Sequence, residues 1–205
     1  MIELLNIDCM DYMSTCKDKQ FDLAIVDPPY GIGYENGGQY FNKMQGKEWD
    51  KVPDEHYFNE LFRISQNQII WGANYFSFDY HSSRCIIAWT KTNEIQDRTF
   101  GEWEFAWTSF SDKPAKFFNL KPFQRNGSRI HPTQKPIQLY KWLLRNYAKP
   151  TDKIIDTHGG SMSSVIACYD FGITDMVCCE IDKEYYDAAV KRFETYKLQQ
   201  KLQFK

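Results

Sequence analysis

The chain has 205 residues, 42% of them hydrophobic and 25% charged, with a formal net charge of −2. These values exclude a disordered chain and a free-standing basic nucleic-acid binder, which would be far more positive, so contact with a polyanion has to rest on a local patch. Aromatic residues are high at 17%, which points to a core or pocket rich in rings.

In chain order, IELLNI reads as a short strand and Asp8 to Lys17 as a turn or short helix. The opening MIELLNIDCMDYM lacks the basic start of a signal peptide, and no apolar run reaches membrane-spanning length. The expectation is a soluble, cytoplasmic protein with no membrane partner. Cysteines stand at 9, 16, 85, 168, 178 and 179. None forms a Cys-x-x-Cys pair and the histidines complete no zinc spacing, so no metal is expected.

FDLAIV (21–26) is a continuous apolar run bounded by turn signals, as in a strand buried on both faces of a parallel sheet. Residues 34–53 hold three glycines and scattered lysines and read as a long mobile loop. Residues 54–65 read as a helix with Asp54 near its start. NQIIWG and RCIIAWT read as strands, and EWEFAWTSF as a further strand or pair. Residues 137–148 form an amphipathic helix opened by Pro136, a favoured place for proline. KIIDTHGGSMSSVIACYD reads as strand, glycine loop and helix, MVCCEID as a strand, and KEYYDAAVKRFETYKLQQ as a helix. Strands alternating with helices predict an α/β fold with a mostly parallel sheet, in one domain spanning 1–205.

Ligands of such a sheet sit at the carboxyl ends of its strands. Asp156 ends one strand and is followed by Thr157, His158, Gly159, Gly160 and Ser161; Glu180 ends the next. A glycine loop followed by a strand-end acid suits a nucleoside, whose ribose hydroxyls the acid accepts. The G-x-G-x-x-G fingerprint is absent, which speaks against a pyrophosphate-bearing NAD. S-adenosylmethionine, with only an amino-acid carboxylate, needs less closely approaching backbone. An ordinary βα turn also uses glycine for its geometry, and His158 beside it is as readily a packing residue as a cofactor contact.

Asp27-Pro28-Pro29-Tyr30 leaves the FDLAIV strand at the same edge. The exocyclic amine of a nucleobase is planar and a poor nucleophile. A carboxylate and a backbone carbonyl that accept its two N–H bonds favour a tetrahedral nitrogen with a usable lone pair. Prolines fix the backbone and donate no N–H, and an aromatic ring next to them can stack on a base, worth about 1–3 kcal/mol. That is comparable to the few kcal/mol that extruding a base from a duplex costs. The four residues could also be a plain strand-ending turn.

DPPY after an apolar strand, SRIHPTQKP (128–136), DTHGGSMSS (156–164) and CCEIDKEYYDAAVKRF (178–193) occur in an order that resembles amino-group DNA methyltransferases of the β arrangement. There the catalytic motif precedes the cofactor motif, and the chain looks most like small phage and prophage DNA adenine methyltransferases. The resemblance implies a Rossmann-like fold with helices on both faces of a mostly parallel sheet, circularly permuted in motif order. It implies transfer of a methyl group from S-adenosylmethionine to N6 of adenine in DNA, with Asp27 and the Pro28 carbonyl on the amine, Pro29 rigid between them and Tyr30 on the flipped base. Asp27, Asp156, His158, Gly159, Gly160, Ser161 and Ser163 would shape the cofactor cleft. Glu180 would take the ribose and Ile181 would lie beside the adenine, with Asp8 and Cys9 nearby. Lys135 would meet the methionine carboxylate. The chain departs from the family's DPFxGSGT loop at Thr157, His158 and Met162. N4 of cytosine as acceptor, or a non-catalytic DNA- or cofactor-binding module, are the alternatives.

Residues 113–135 carry Lys113, Lys116, Lys121, Arg125, Arg129 and Lys135 with three phenylalanines and no acid. Basic residues interleaved with aromatics suit phosphate contact and base stacking, so this reads as a short DNA-recognition segment at about 110–130. Lys43 and Lys47 of the glycine-rich loop would close over the DNA. A segment so short points to a short site, relaxed specificity or help from a second subunit, which keeps a homodimer open. The setting would be a bacterial or phage-infected cell.

Overall fold

The computed structural model describes residues 1–32, 50–77, 83–90, 103–120 and 129–203. Lys43, Lys47, Lys121, Arg125 and the expected mobile loop as far as residue 49 lie outside them. Eight strands form one sheet: β1 (Ile2–Leu5), β2 (Phe21–Val26), β3 (Ser65–Trp71), β4 (Ile86–Thr90), β5 (Trp103–Thr108), β6 (Lys116–Asn119), β7 (Lys153–Asp156) and β8 (Asp175–Cys179), in the order β1-β8-β7-β2-β3-β5-β4-β6. All pairings are parallel except those of β5 with β3 and with β4, so β5 runs against the other seven.

The apolar run of β2 is buried along nearly its whole length because both sheet faces are covered. On one face, α1 (Cys9–Ser14) and α2 (Glu55–Ile64) bring Met13, Tyr57, Phe58, Leu61 and Ile64 against Ala24, Val26, Ile70 and Ile155. On the other, α3 (Ile137–Tyr147), α4 (Ser163–Phe171) and α5 (Lys183–Gln203) pack Leu139, Leu143, Val165 and Phe193 against Leu23, Ile25, Ile69 and Ile154. Asp54 starts α2 by accepting the Tyr57 N–H at 3.0 Å, which meets one of the orphan donors of the first turn.

This connectivity creates a crevice. From β7 the chain crosses through α4 to β8 on one side; from β2 it crosses through α2 to β3 on the other, over the opposite face. Between the adjacent strands β2 and β7 the order reverses, and ligands of open α/β sheets bind at such a switch point. DPPY leaves β2 there and DTHGGS leaves β7.

One element departs from the sequence expectation. Part of the basic segment is a strand, β6, at the sheet's edge. Phe118 turns inward onto Trp142 at 5.0 Å between ring centroids, while Phe117 is exposed. Lys116 donates to Asn146 Oδ1 at 2.6 Å, and the Lys113 ammonium lies 5.6 Å from the Phe110 ring centroid. Two of the expected DNA-facing lysines therefore have partners within the protein, and Arg129 is exposed.

Candidate active site

A cleft opens at the switch point. Its walls include Asp27, Pro28, Pro29 and Tyr30 from one loop, and His158, Gly159, Gly160, Ser161 and Ser163 from the other. Lys135, Glu180 and Ile181 join them, so twelve of the fifteen catalytic and cofactor residues singled out from sequence share one cavity, while Asp8, Cys9 and Asp156 do not line it.

The glycine loop is held by its acids. Glu180, at the end of β8, accepts the Gly160 N–H through Oε2 at 2.7 Å and the Asp182 N–H through Oε1 at 2.9 Å. Burial raises its pKa, opposed by those same N–H bonds. Asn6, just past β1, fixes the segment by donating to the Glu180 and Ile181 carbonyls. Gly160 has φ +50°, and a Cβ there would meet the His131 ring at 3.4 Å. At Gly159 a Cβ would lie 2.6 Å from Cys178 Sγ, so contact excludes a side chain at Gly159 and backbone conformation disfavours one at Gly160. Arg192 of α5 pins the loop from behind through the Ser161 carbonyl and Ser163 Oγ.

Met162 also has a positive φ, +54°, costing about 1–2 kcal/mol for a residue with a Cβ. Its side chain is fully buried in the core and does not line the cleft. Asp156 lies just outside the cleft walls as well. It accepts the His158 N–H at 3.0 Å and the Ser164 hydroxyl at 2.5 Å, which closes the turn. Burial pushes its carboxyl up to about 7, against those bonds. Folded protein therefore binds a proton that the unfolded chain, with a carboxyl near 3.8, releases. Stability falls as pH rises through that window and levels off above it. Between pH 5 and pH 7 the fall is about 2 kcal/mol. Asp156→Asn is expected to flatten this slope in urea titrations at the two pH values.

His158 is held neutral, its pKa lowered to about 4 by burial. It pairs with Thr157 Oγ1 through Nδ1 and meets the Tyr57 ring edge-on at 5.3 Å. Asp8 caps α1 by accepting the Met10 N–H, and Cys9 follows it. Neither lines the cleft. Burial, together with Asp8, pushes the Cys9 thiol up to about 12, which makes it inert.

At the other end of the cleft, the Tyr30 hydroxyl donates to Asp27 Oδ1 at 2.6 Å, and the Lys135 ammonium lies 2.5 Å from Asp27 Oδ2. Lys135 also reaches Glu104 Oε2 at 3.0 Å and the Tyr30 oxygen at 3.2 Å. Burial raises the Asp27 carboxyl while Lys135 draws it down. Burial works to lower the Lys135 pKa, but Asp27 and Glu104 outweigh it and keep the ammonium charged. The Tyr30 ring stacks on Tyr75 with centroids 5.0 Å apart and planes 15° from parallel. It also lies against Gly72, whose φ is +71° and where a Cβ would come 2.1 Å from a ring carbon. Gly72→Ala is expected to destabilise the protein by about 2–4 kcal/mol through backbone strain and overpacking, read as a drop in the urea midpoint, and to displace Tyr30.

Sequence reading missed Glu104, Gly72 and Asp50. Asp50 is buried, lines the cleft, and accepts the Gly31 N–H at 2.8 Å. A strand-end acid in EWEFAWTSF carried a signal for Glu104; nothing local marks the other two.

The residues suit a nucleoside-bearing ligand with an amino-acid tail. Two glycines present bare backbone to the cleft, and the buried strand-end carboxylate of Glu180 stands beside them. Gln134 Nε2 in the cleft wall finds no hydrogen-bond acceptor among the described residues. Among the described residues no cluster of His, Cys, Asp and Glu could hold a metal, and no helix is long and apolar enough to cross a membrane.

The chain is similar to the type II methyltransferase M2.DpnII of Streptococcus pneumoniae, 23% identical over 239 aligned positions covering 93% of this chain and 89% of the relative. The solved M1.HpyAVI–SAM complex superposes with a TM-score of 0.62 at 18% identity, over 94% of this chain and 98% of that one. The PvuII cytosine-N4-specific DNA methyltransferase gives 0.63 at 12%, over 96% and 90%. The family model N6_N4_Mtase, DNA methylase, matches residues 70–191, more than half of the chain, and the chain belongs to that family.

Proposed function

We propose that the protein transfers a methyl group from S-adenosylmethionine to the N6 amino group of adenine in DNA, acting as a single catalytic domain in the bacterial cytoplasm. The observation that carries this reading is the joining of Asp27-Pro28-Pro29-Tyr30 with Gly159, Gly160 and Glu180 in one cleft. The amine donor site and the cofactor site then share a cavity, as direct transfer requires.

S-adenosylmethionine supplies an electrophilic methyl group on a sulfonium. Gly159, Gly160 and Ser161 leave it backbone to lie against, and Glu180 offers its remaining lone pairs to the ribose. Asp27 accepts one N–H of an extruded adenine and the Pro28 carbonyl the other, which frees the nitrogen lone pair for in-line attack. Tyr30, backed by Tyr75, forms an aromatic wall for the base. Asp27 is well placed to relieve the methylated nitrogen of its surplus proton. Arg129 and the basic residues near it would contact phosphates, and binding through them would weaken steeply with salt.

Cytosine N4 is the second reading, favoured by the similarity to the PvuII enzyme. The test is incubation with labelled S-adenosylmethionine and unmethylated DNA, then digestion and chromatography of the nucleosides. Label in N6-methyladenine supports the first reading; label in N4-methylcytosine replaces it with the second.

A further inference from the structure

Glu104 belongs to no motif that identified the site. It stands on β5, the one reversed strand, opposite Trp89 of β4. Its carboxylate reaches an ammonium that is almost wholly enclosed, with the Lys135 side chain 3% exposed and that of Glu104 19%. Lys135 meets three oxygens in the cluster: Asp27 Oδ2 at 2.5 Å and Glu104 Oε2 at 3.0 Å as ion pairs, and the Tyr30 oxygen at 3.2 Å through a hydrogen bond. Asp27 and Glu104 therefore share one cation, and each is only partly neutralised by it.

We propose that Glu104 is a positioning residue for methyl transfer, sharing the Lys135 ammonium with Asp27 so that the cluster keeps a net negative charge and Asp27 its acceptor strength toward the cleft. The inference rests on the reading in which Asp27 receives the target amine. Without the Glu104 charge the ammonium settles on Asp27 and cancels it, and in a site this buried the lost charge is poorly screened. Two consequences follow from chemistry. The amine meets a weaker acceptor, so turnover slows. The cleft also loses preference for a positively charged sulfonium over the neutral thioether left after transfer.

S-adenosylmethionine and S-adenosylhomocysteine differ by one methyl group and one charge, so their affinity ratio reports the charge of the cleft directly. The experiment measures both dissociation constants by titration calorimetry, on the full chain without DNA, for wild type and Glu104→Gln, a substitution matched in size. Steady-state kcat and KM for DNA are measured alongside. The expected result is a ratio shifted about tenfold toward S-adenosylhomocysteine and a kcat at least about tenfold lower, with KM for DNA within about twofold. A folded Glu104→Gln protein with ratio and kcat both within about twofold of wild type overturns the proposal. Glu104→Asp keeps the charge on a shorter arm and is expected to hold the ratio within about threefold. A tenfold shift there as well would assign the effect to packing and overturn the charge argument. Wild type that binds neither molecule would instead sink the methyltransferase reading beneath it.

Discussion

Replacing Asp27 by asparagine is expected to lower methyl transfer about a thousandfold while weakening the sulfonium cofactor only about tenfold, through the lost charge of the cleft. Asp27 has both carboxylate oxygens engaged, one by Tyr30 and one by Lys135, and each oxygen keeps a lone pair for the incoming amine. Asparagine fills the same space but carries no charge, and its NH₂ would either confront the donor-only Lys135 ammonium or reverse the bond that the Tyr30 hydroxyl now donates to Asp27. The nitrogen then loses the acceptor that pulls it out of conjugation with the ring. The wall that faces the cofactor, Glu180 with Gly159 and Gly160, is untouched. Single-turnover transfer and calorimetric cofactor binding, run on the same preparation, separate the two effects. A variant with near wild-type transfer would remove Asp27 from the reacting centre.

Glu180→Gln is expected to weaken cofactor binding about a hundredfold. Glu180 organises the site through two charge-assisted bonds, to the N–H groups of Gly160 and Asp182. Glutamine can accept one of them, and its NH₂ would point at the other donor. The loop that Gly160 anchors would lose its register, and the ribose its acceptor. Since burial disfavours the charged carboxylate in the folded protein, the loss should fall on binding more than on folding. Titration calorimetry with S-adenosylmethionine and a thermal melt of the same variant test this. Unchanged affinity would place the cofactor elsewhere.

Much of this site was legible in the sequence for a physical reason. FDLAIV and KIID are strands buried from both sides, so their apolar runs are continuous and their ends are marked by acids, prolines and glycines. The β2 strand spans Phe21–Val26, the run read from sequence, and Asp54 caps α2 at the expected helix start. Once the parallel sheet was inferred, strand-end residues had to gather at one edge, which is why Asp27 and Glu180 line one cleft although far apart in sequence. What escaped was tertiary. Glu104 meets Lys135 because β5 alone is reversed, and no periodicity reports strand direction. Gly72 matters because the Tyr30 ring leans on it, and β6 is short, with Lys116 and Phe117 at positions that read as a loop.

The central claim is that this cleft methylates adenine in DNA through Asp27. Its most direct test is expression of wild type and Asp27→Asn in a bacterial host lacking its own DNA methyltransferases, followed by single-molecule sequencing of the host genome. The account predicts N6-methyladenine at a short recurring motif with wild type and none with the variant. No modified base with wild type, from a protein that binds S-adenosylmethionine after purification, would contradict it.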